Sequence, residues 1–411
     1  MLAAMPPSSS NPRNRGETHI RDRGDACPGA LRLHRADDGG LARLRLPTGI
    51  LTSRQVAVLA DVADRLGDGH LGVTSRGNLD LRGLGEGCGL ELAGLLREAG
   101  LLPSERHERI RNMVVSPLTG LDGLGLADVR LWARDLDALL CAGEWTTELS
   151  GRFLFAVDDG RGDVAALGAD VTLLAEPDGR ALVRIGGQDQ GLAWRVAAAD
   201  APRAALAAAE AFLAAAREAG TGAWRVAELP AGRALEEAVT GHLERAGIAA
   251  GRTAPAALPV GAPPEPGVVA GRAVSVVAPL GRVTSDQFRA LLPAVEVRVT
   301  PWRGFVVTGL ADAAAAAARL AELAAAGFLA RHGSPWLGVS ACTGRPGCGK
   351  ALADVRADAR PLDHGGLPVH WSGCARRCGH PQGDWVDVLA TEDGTYAVTV
   401  RRDNDVQNAQ R

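Results

Sequence analysis

Two short stretches, Leu51-Thr52-Ser53-Arg54-Gln55 and Val283-Thr284-Ser285-Asp286-Gln287, determine the fold that we expect for this chain. Each stretch follows a strand pattern and carries Thr and Ser, residue types that begin helices by accepting hydrogen bonds from the first backbone N–H groups. The two stretches have Thr, Ser and Gln at matching positions. This match indicates an internal repeat.

The elements around each stretch come in the same order. In the first copy, Leu41–Leu46 has a strand pattern, Thr52–Leu66 a helix pattern, Gly72–Leu81 a strand pattern and Gly89–Ala99 a helix pattern. The second copy, from Val274 to Ala326, repeats this order. A chance match of two short phrases is the alternative, but the shared element order favours a repeat. The sequence therefore predicts an α+β fold in which a ferredoxin-like unit is used twice, related by a pseudo-twofold axis.

Four cysteines near the C-terminal end form two close pairs, Cys342-x5-Cys348 and Cys374-x3-Cys378. Four thiolates are the number that a [4Fe–4S] cluster needs, one for each iron. Structural zinc remains an alternative, although zinc knuckles usually have two to four residues between ligands. Disulfides are not favoured in a chain without an export signal. The other cysteines have no spacing that suggests ligation, and we expect them to be ordinary apolar residues: Cys27, Cys88 and Cys141.

Composition divides the chain into segments. Five prolines within 254–267 predict an extended connector, because proline cannot continue a helix or join a central strand. The predicted segments are a disordered tail (1–24), the first ferredoxin-like half-repeat (25–104), a central α+β domain (105–250), a Pro-rich linker (251–267), the second half-repeat (268–333), a cluster-binding domain (334–400) and a tail (401–411).

The bulk composition is that of a globular protein in a reducing compartment. The chain has 411 residues, 46% of them hydrophobic, and a net charge of −3, so it presents no overall basic field for nucleic acid or an anionic membrane. No apolar stretch has the character of a signal peptide or a membrane span, and we expect a cytoplasmic protein. Lys350 is the only lysine among 45 basic residues, so anions must be bound by arginine.

These cysteines, on a twofold ferredoxin-like repeat, resemble the nitrite and sulfite reductase family, and the resemblance runs from about Cys27 to Ala390. It implies that an arginine in Gly72–Leu79, Arg76, faces the substrate and macrocycle. It also implies a second such arginine, Arg111, in the segment that ends with Ser116-Pro117-Leu118-Thr119-Gly120.

The chain departs from the family at a pair of lysines that lie one residue apart on a strand. Arg152 stands in place of the first lysine and Leu154 in place of the second. In the family this pair helps to bind a small oxyanion and to deliver protons for its reduction. The departure favours the branch of the family that acts on precorrins in aerobic cobalamin synthesis, with Arg152 binding a carboxylate arm of the substrate.

For that branch the resemblance implies hydroxylation of precorrin-3A by O₂, with lactone closure. The implied cofactors are the [4Fe–4S] cluster and a mononuclear non-haem iron, and the implied electron donor is a ferredoxin or a reductase that uses NAD(P)H. In the reductases the second centre is sirohaem, bridged to the cluster through a cysteine that matches Cys378. His364, His370 and His380 are candidate iron ligands, but their spacing does not single one out.

Two other interpretations stay open. Gly160-Arg161-Gly162-Asp163-Val164-Ala165 fits the G-x-G-x-x-A pattern of dinucleotide sites, but no long helix pattern follows it, so a glycine turn beside the substrate pocket is favoured. A non-enzymatic iron–sulfur or zinc protein that only carries electrons or a tetrapyrrole is the other. Two repeats and many arginines are more than an electron carrier needs.

Overall fold

The computed structural model describes residue 25 and residues 27–186, 192–230, 234–253, 258–363, 365–381 and 383–402. The predicted tail 1–24 and most of the tail 401–411 lie outside these residues. Within them, no helix is both long and apolar enough to cross a bilayer.

The chain alternates strands and helices throughout. The strands are β1 His34–Ala36, β2 Gly39–Leu44, β3 Ile50–Leu51, β4 His70–Val73, β5 Leu79–Leu84, β6 Met113–Val115, β7 Phe155–Asp158, β8 Val171–Ala175, β9 Arg180–Ile185, β10 Leu192–Ala197, β11 Gly251–Thr253, β12 Gly267–Val269, β13 Ala273–Val277, β14 Arg282–Thr284, β15 Val297–Val299, β16 Gly304–Thr308, β17 Val339–Ala341, β18 Val369–Ser372, β19 Trp385–Ala390 and β20 Tyr396–Arg401. The α-helices are α1 Ser53–Leu66, α2 Gly89–Glu98, α3 Arg130–Ala142, α4 Ala201–Ala219, α5 Ala234–Arg245, α6 Ser285–Arg289, α7 Ala313–Ala325 and α8 Val355–Asp358.

The two half-repeats exchange strands. The first sheet has the order β1-β2-β5-β4-β14, and the second has the order β12-β13-β16-β15-β3. Strand β14 of the second repeat pairs antiparallel with β4, with Val283 opposite Leu71. Strand β3 of the first repeat pairs antiparallel with β15, with Leu51 opposite Val297. The predicted α+β fold with a pseudo-twofold relation is confirmed, and each sheet is completed by the other repeat.

The repeated phrases form matching capping boxes directly after the exchanged strands. The Thr52 hydroxyl accepts a hydrogen bond from the Gln55 N–H (3.3 Å), and the Gln55 side chain accepts one from the Thr52 N–H (2.9 Å). Thr284 and Gln287 make the same two bonds at 3.1 and 2.9 Å. Each glutamine then donates to the carbonyl that follows the next helix of its repeat, Ala99 or Ala326, at 3.0 Å. The repeated Thr and Gln residues therefore start one helix of each repeat and connect it to the end of the next helix.

One apolar core spans both repeats. Buried residues of the first repeat, such as Leu51 and Leu59, and of the second, such as Phe288 and Phe305, belong to the same cluster. Because the cluster crosses the pseudo-twofold axis, the two repeats pack as one body.

One sequence prediction is wrong in detail. Gly72–Leu81 is not a single strand but the hairpin of β4 and β5, joined by a turn at Thr74–Asn78. The turn requires a left-handed residue, and Gly77 supplies it with φ +63°. This turn carries Arg76.

The remaining two sheets complete the molecule. The central sheet has the order β11-β10-β9-β8-β7-β6, and α4 packs on it through contacts such as Phe153 with Phe212, whose ring centroids lie 5.0 Å apart. The C-terminal sheet has the order β17-β18-β19-β20, with its first three strands parallel. Strand β11 occupies 251–253, where the sequence analysis placed the start of the linker.

The capping boxes lead to a stability prediction. We expect Thr52→Ala and Thr284→Ala each to lower the free energy of unfolding by about 1 kcal/mol, because each leaves a helix N–H group without its acceptor. Arg54→Ala, at an exposed position of the same helix turn, is the control and should change it little. Urea unfolding measures all three, and equal stability of the two threonine variants and the control would contradict the assigned role.

Candidate cluster and substrate site

The two cysteine pairs begin at the same edge of the C-terminal sheet. Cys342 directly follows β17, and Cys374 follows β18 after one glycine. These strands are parallel neighbours, so their carboxyl ends lie side by side. The Cys342 N–H donates to the Trp371 carbonyl (3.0 Å), and the Gly373 N–H donates to the Cys342 sulfur (3.2 Å).

The second cysteine of each pair lies close to the first ones. Burial and the nearby sulfurs of Cys374, Cys342 and Cys348 raise the pKa of the Cys378 thiol, so each of these three sulfurs lies near that of Cys378. Cys378 is the exposed member of the set, and the other three are partly buried. Cys378 is therefore the cysteine of this set that is most accessible to solvent or to a bound group.

The donor set fits a [4Fe–4S] cluster better than zinc. No three of the four sulfurs lie within 4.8 Å of one another. Four thiolates around one zinc ion would stand about 3.8 Å apart, given a Zn–S bond of about 2.3 Å. The N–H groups that surround the loops, such as that of Gly373, are also the donors that tune the potential of a cluster.

Side chains from β18 and from the second repeat fix the Cys374–Cys378 loop. His370 is fully buried; its Nε2 lies 3.2 Å from the Cys378 carbonyl and its Nδ1 lies 2.8 Å from the Ser340 hydroxyl. Burial lowers the pKa of His370 to about 3, so its ring is neutral. Arg303 donates to the Gly379 carbonyl (2.7 Å) from the second repeat. The loop is therefore bound on two sides.

The Cys342–Cys348 loop contacts the first repeat. The Gly349 N–H donates to the Asp37 carboxylate (2.7 Å), and Arg82 donates to the Gly347 carbonyl (3.1 Å) while forming an ion pair with Asp38 (2.8 Å). The turn between β1 and β2 thus contacts the first cysteine pair. Both half-repeats therefore take part in positioning the four cysteines.

Two of the candidate iron ligands, His370 and His380, lie against the same side chain, Trp385, but their ring nitrogens make other contacts. Both ring nitrogens of His370 are already engaged, and His380 stacks on Trp385 with ring centroids 5.2 Å apart while its Nδ1 lies 2.7 Å from the Pro381 carbonyl. His364 lies outside the described residues. The ligands of a second iron stay unassigned.

Two of the three predicted substrate arginines lie together. Arg76, in the β4–β5 turn, donates to the carbonyl of Arg152 at 3.4 Å. Burial, followed by the charge of Arg225, lowers the pKa of Arg76 to about 10, so it remains protonated at neutral pH. Arg152 is exposed, and its guanidinium lies 5.1 Å from the ring centroid of Trp224. Within the described residues neither side chain forms an ion pair with a carboxylate.

Arg111 is located differently. Its guanidinium donates to both oxygens of Asp137 on α3, at 2.7 and 2.6 Å, and the residue is only 5% exposed. This ion pair connects the segment before β6 to helix α3 of the central domain. A role for Arg111 in binding substrate stays a prediction, and one that this contact does not favour.

Sequence reasoning missed several polar residues near Arg76. Arg225 pairs with buried Asp170 (2.5 Å), and Arg45 donates to Asn112 (3.1 Å) and to the Gly151 carbonyl (3.0 Å) with no carboxylate partner among the described residues. Burial lowers the pKa of Arg45 to about 10. Cys27, which we expected to be an ordinary apolar residue, lies beside Gly151 and near these arginines. No local pattern marks these residues, because their neighbours are distant in sequence.

The glycine-rich loop after β7 is closed around its own carboxylate. Asp158 accepts hydrogen bonds from four backbone N–H groups at 2.8 to 3.0 Å, those of Gly160, Gly162, Val164 and Ala165. These are the groups that would otherwise bind a phosphate. The structure therefore does not favour a dinucleotide site here.

A compact acidic group lies in this loop. One oxygen from each of Asp158, Asp159 and Asp163 lies within 4.8 Å of the others, and all three residues are buried. The carboxylate of Asp159 is already bound by Arg161 at 2.8 Å, and that of Asp158 by backbone N–H groups. Two of the three carboxylates are thus engaged within the loop and no further observation points to a cation, so we do not assign a metal to this group.

Arg111→Gln tests the structural role of that ion pair. We expect it to lower the free energy of unfolding by about 3 kcal/mol, because it leaves the largely buried Asp137 without its partner. Arg152→Gln, which breaks no ion pair among the described residues, should change stability by about 0.5 kcal/mol at most. Denaturant unfolding of both variants and the parent is the measurement. If Arg111→Gln were as stable as Arg152→Gln, the structural role of the ion pair would be refuted.

Asp163 predicts a pH dependence. Burial raises its pKa to about 7, while its Oδ1 accepts a hydrogen bond from Ser116 (2.6 Å). The folded state binds the proton more tightly than the unfolded chain does, so the contribution of Asp163 to stability falls as the pH rises from about 4 to 7.

We therefore expect the free energy of unfolding of Asp163→Asn to depend less on pH than that of the parent. The variant should be most stable relative to the parent above pH 7. The difference corresponds to about 1.4 kcal/mol for each unit by which the pKa is raised. Unfolding measured from pH 4 to 8 checks this, and parallel profiles for the two proteins would contradict it.

Comparison with known proteins agrees with this architecture. Residues 34–88 match the nitrite/sulfite reductase ferredoxin-like half domain. The structure resembles that of the NirA protein of Mycobacterium tuberculosis with a TM-score of 0.65 and 20% identity, over 94% of this chain and 78% of that one.

Two curated relatives align along most of the chain. A precorrin-3B synthase from Sinorhizobium sp is 27% identical over 91% of this chain and 82% of its own length. A ferredoxin–nitrite reductase from Synechococcus elongatus is 28% identical over 88% of this chain and 77% of its own. The strand-exchanged repeats, the matched half domain and these relatives together show that the chain belongs to the nitrite and sulfite reductase superfamily.

Proposed function

We propose that this chain is an oxidoreductase of cobalamin biosynthesis that hydroxylates precorrin-3A with O₂ to give precorrin-3B, with lactone formation. The similarity to a precorrin-3B synthase over 91% of the chain supports this choice. Nitrite reductases align at similar identity, so the choice between the two activities depends on the site.

The observation that carries the proposal is the environment of Leu154. The resemblance to the reductases places a lysine at this position, where an ammonium group would bind a small oxyanion. Leu154 is 3% exposed here and packs in an apolar cluster with Val114 and Ala156. A buried leucine offers no ammonium group at this position, so the cation that would bind nitrite or sulfite there is missing.

The arginines provide the complementary charge. Precorrins bear acetate and propionate arms, and a guanidinium binds a carboxylate through two parallel hydrogen bonds. Arg76 and Arg152 are joined by a hydrogen bond and form no ion pair with a described carboxylate, so both are available to such arms. In this proposal they fix the orientation of the macrocycle.

The four cysteines would hold the [4Fe–4S] cluster, which supplies electrons one at a time when it is bound. One oxygen atom of O₂ enters the macrocycle and the other leaves as water, which requires two electrons and two protons. An external donor, a ferredoxin or an NAD(P)H-dependent reductase, would supply the electrons. A mononuclear non-haem iron is the second proposed cofactor, with ligands that remain unassigned.

A sirohaem-dependent nitrite or sulfite reductase is the second candidate. One observation favours it: Cys378 is the exposed member of the cysteine set and is the residue that would bridge to a sirohaem. A visible spectrum of the anaerobically purified protein distinguishes the two, since sirohaem gives a strong Soret band and a cluster alone does not.

The decisive experiment supplies precorrin-3A, an electron donor and isotopically labelled O₂ to the anaerobically purified protein. We expect one labelled oxygen atom in the product by mass spectrometry, and no turnover without O₂. Cys374→Ser is the matched variant and should lose both the cluster absorbance and the activity. Turnover of precorrin-3A under strict anoxia would refute the oxygenase, and reduction of nitrite or sulfite by a Soret-absorbing protein would establish the alternative.

A further inference from the structure

Two turns occupy equivalent places in the half-repeats. In the β4–β5 turn the Thr74 N–H donates to the Asn78 carbonyl (2.9 Å), and the Thr74 hydroxyl accepts from the Asn78 N–H (3.1 Å). In the β15–β16 turn Thr300 makes the same two bonds with Gly304, at 2.9 and 3.1 Å. The hydrogen bonds therefore align Thr74 with Thr300 and Asn78 with Gly304.

The two turns also have a left-handed residue at the same position. The left-handed position of the first turn is Gly77 (φ +63°), and that of the second turn is Arg303 (φ +60°). Arg76 therefore has Trp302 as its structural equivalent, not Arg303. A guanidinium in one repeat corresponds to an indole in the other.

The two turns are in contact at the pseudo-twofold axis. A β-carbon placed on Gly77 would lie 3.4 Å from the Val299 carbonyl oxygen and 3.6 Å from the Pro301 nitrogen. Arg76 and Trp302 are therefore presented by adjoining turns, next to the boundary with the central domain.

The surroundings of Trp302 connect it to the predicted substrate site. Trp302 is partly buried and packs against the apolar cluster that contains Leu154. Leu154 lies two residues after Arg152, whose carbonyl accepts the hydrogen bond from Arg76. Trp302 thus lies on a turn that adjoins the turn of Arg76, and it packs against a cluster whose member Leu154 follows Arg152 by two residues.

We propose that Trp302 is a specificity-determining residue that provides the aromatic face against which a conjugated macrocycle packs, while Arg76 and Arg152 bind its carboxylates. This inference rests on the proposed function and deepens it. A large indole adds apolar contact and π-stacking, which a small oxyanion cannot use but a tetrapyrrole can. The indole of Trp302, supported from behind by the cluster that contains Leu154, would thus select for ring surface, and the arginines for charge.

The test compares two anionic probes of the full-length protein by equilibrium titration. Uroporphyrin has acetate and propionate arms on a planar macrocycle, whereas butane tetracarboxylate has carboxylates and no macrocycle. We expect Trp302→Leu, which keeps an apolar side chain, to weaken uroporphyrin binding by about three- to tenfold and to leave butane tetracarboxylate binding unchanged. Trp302→Phe should retain most of the uroporphyrin affinity.

Two arginine variants complete the design. Arg76→Gln should weaken both probes, and Arg54→Gln, on the exposed side of α1, should weaken neither. Melting temperatures of all variants separate a loss of binding from a loss of folding. Unchanged uroporphyrin affinity in Trp302→Leu, or an equal loss for both probes, would overturn the inference alone. If the parent protein bound no uroporphyrin, the proposed function would fail together with it.

Discussion

The exchange of strands between the two half-repeats is the interaction on which the rest of the structure depends. Backbone hydrogen bonds between β14 and β4, and between β3 and β15, close each sheet with a strand of the other repeat. Unpaired buried N–H and C=O groups are costly, so neither repeat can satisfy its outer strand alone. The exchange also joins the two apolar faces into one core and brings the β4–β5 and β15–β16 turns together.

The cysteine loops depend on that arrangement because each repeat contacts one of them. Asp37 and Arg82 of the first repeat contact the backbone of the Cys342–Cys348 loop, and Arg303 of the second contacts the loop of Cys374 and Cys378. The positive charges of Arg376 and Arg356 act on the sulfurs of Cys378 and Cys342, where they would favour the reduced state of an electron-transfer centre. The proposed redox centre and the proposed substrate site are thus positioned by the same pair of repeats.

Features encoded by neighbouring residues could be predicted from the sequence. Each capping box, at Thr52 and at Thr284, is formed by residues that are close in the sequence. The first cysteine of each pair likewise lies just after a strand. The double ferredoxin-like fold followed from these local signals. The turn at Gly77 was missed because a single glycine within a strand pattern does not reveal a hairpin without its partner strand.

Features that depend on distant residues could not be predicted. The family resemblance assigned a substrate role to Arg111, but its partner Asp137 lies on a helix of the central domain. The structural equivalence of Arg76 and Trp302 follows from the matching hydrogen bonds of Thr74 and Thr300, and because the two residue types differ, the sequence does not mark Trp302 as a site residue. Burial of Leu154 also depends on strands and loops that are brought together only by the fold.

We propose that the four C-terminal cysteines bind one iron–sulfur cube beside this site. Iron, zinc and acid-labile sulfide analysis of anaerobically purified protein, combined with electron paramagnetic resonance after reduction, tests it most directly. We expect about four irons and about four sulfides per chain, as one cube requires, with the signal of a reduced cluster. About one zinc per chain, without sulfide and without that signal, would contradict it.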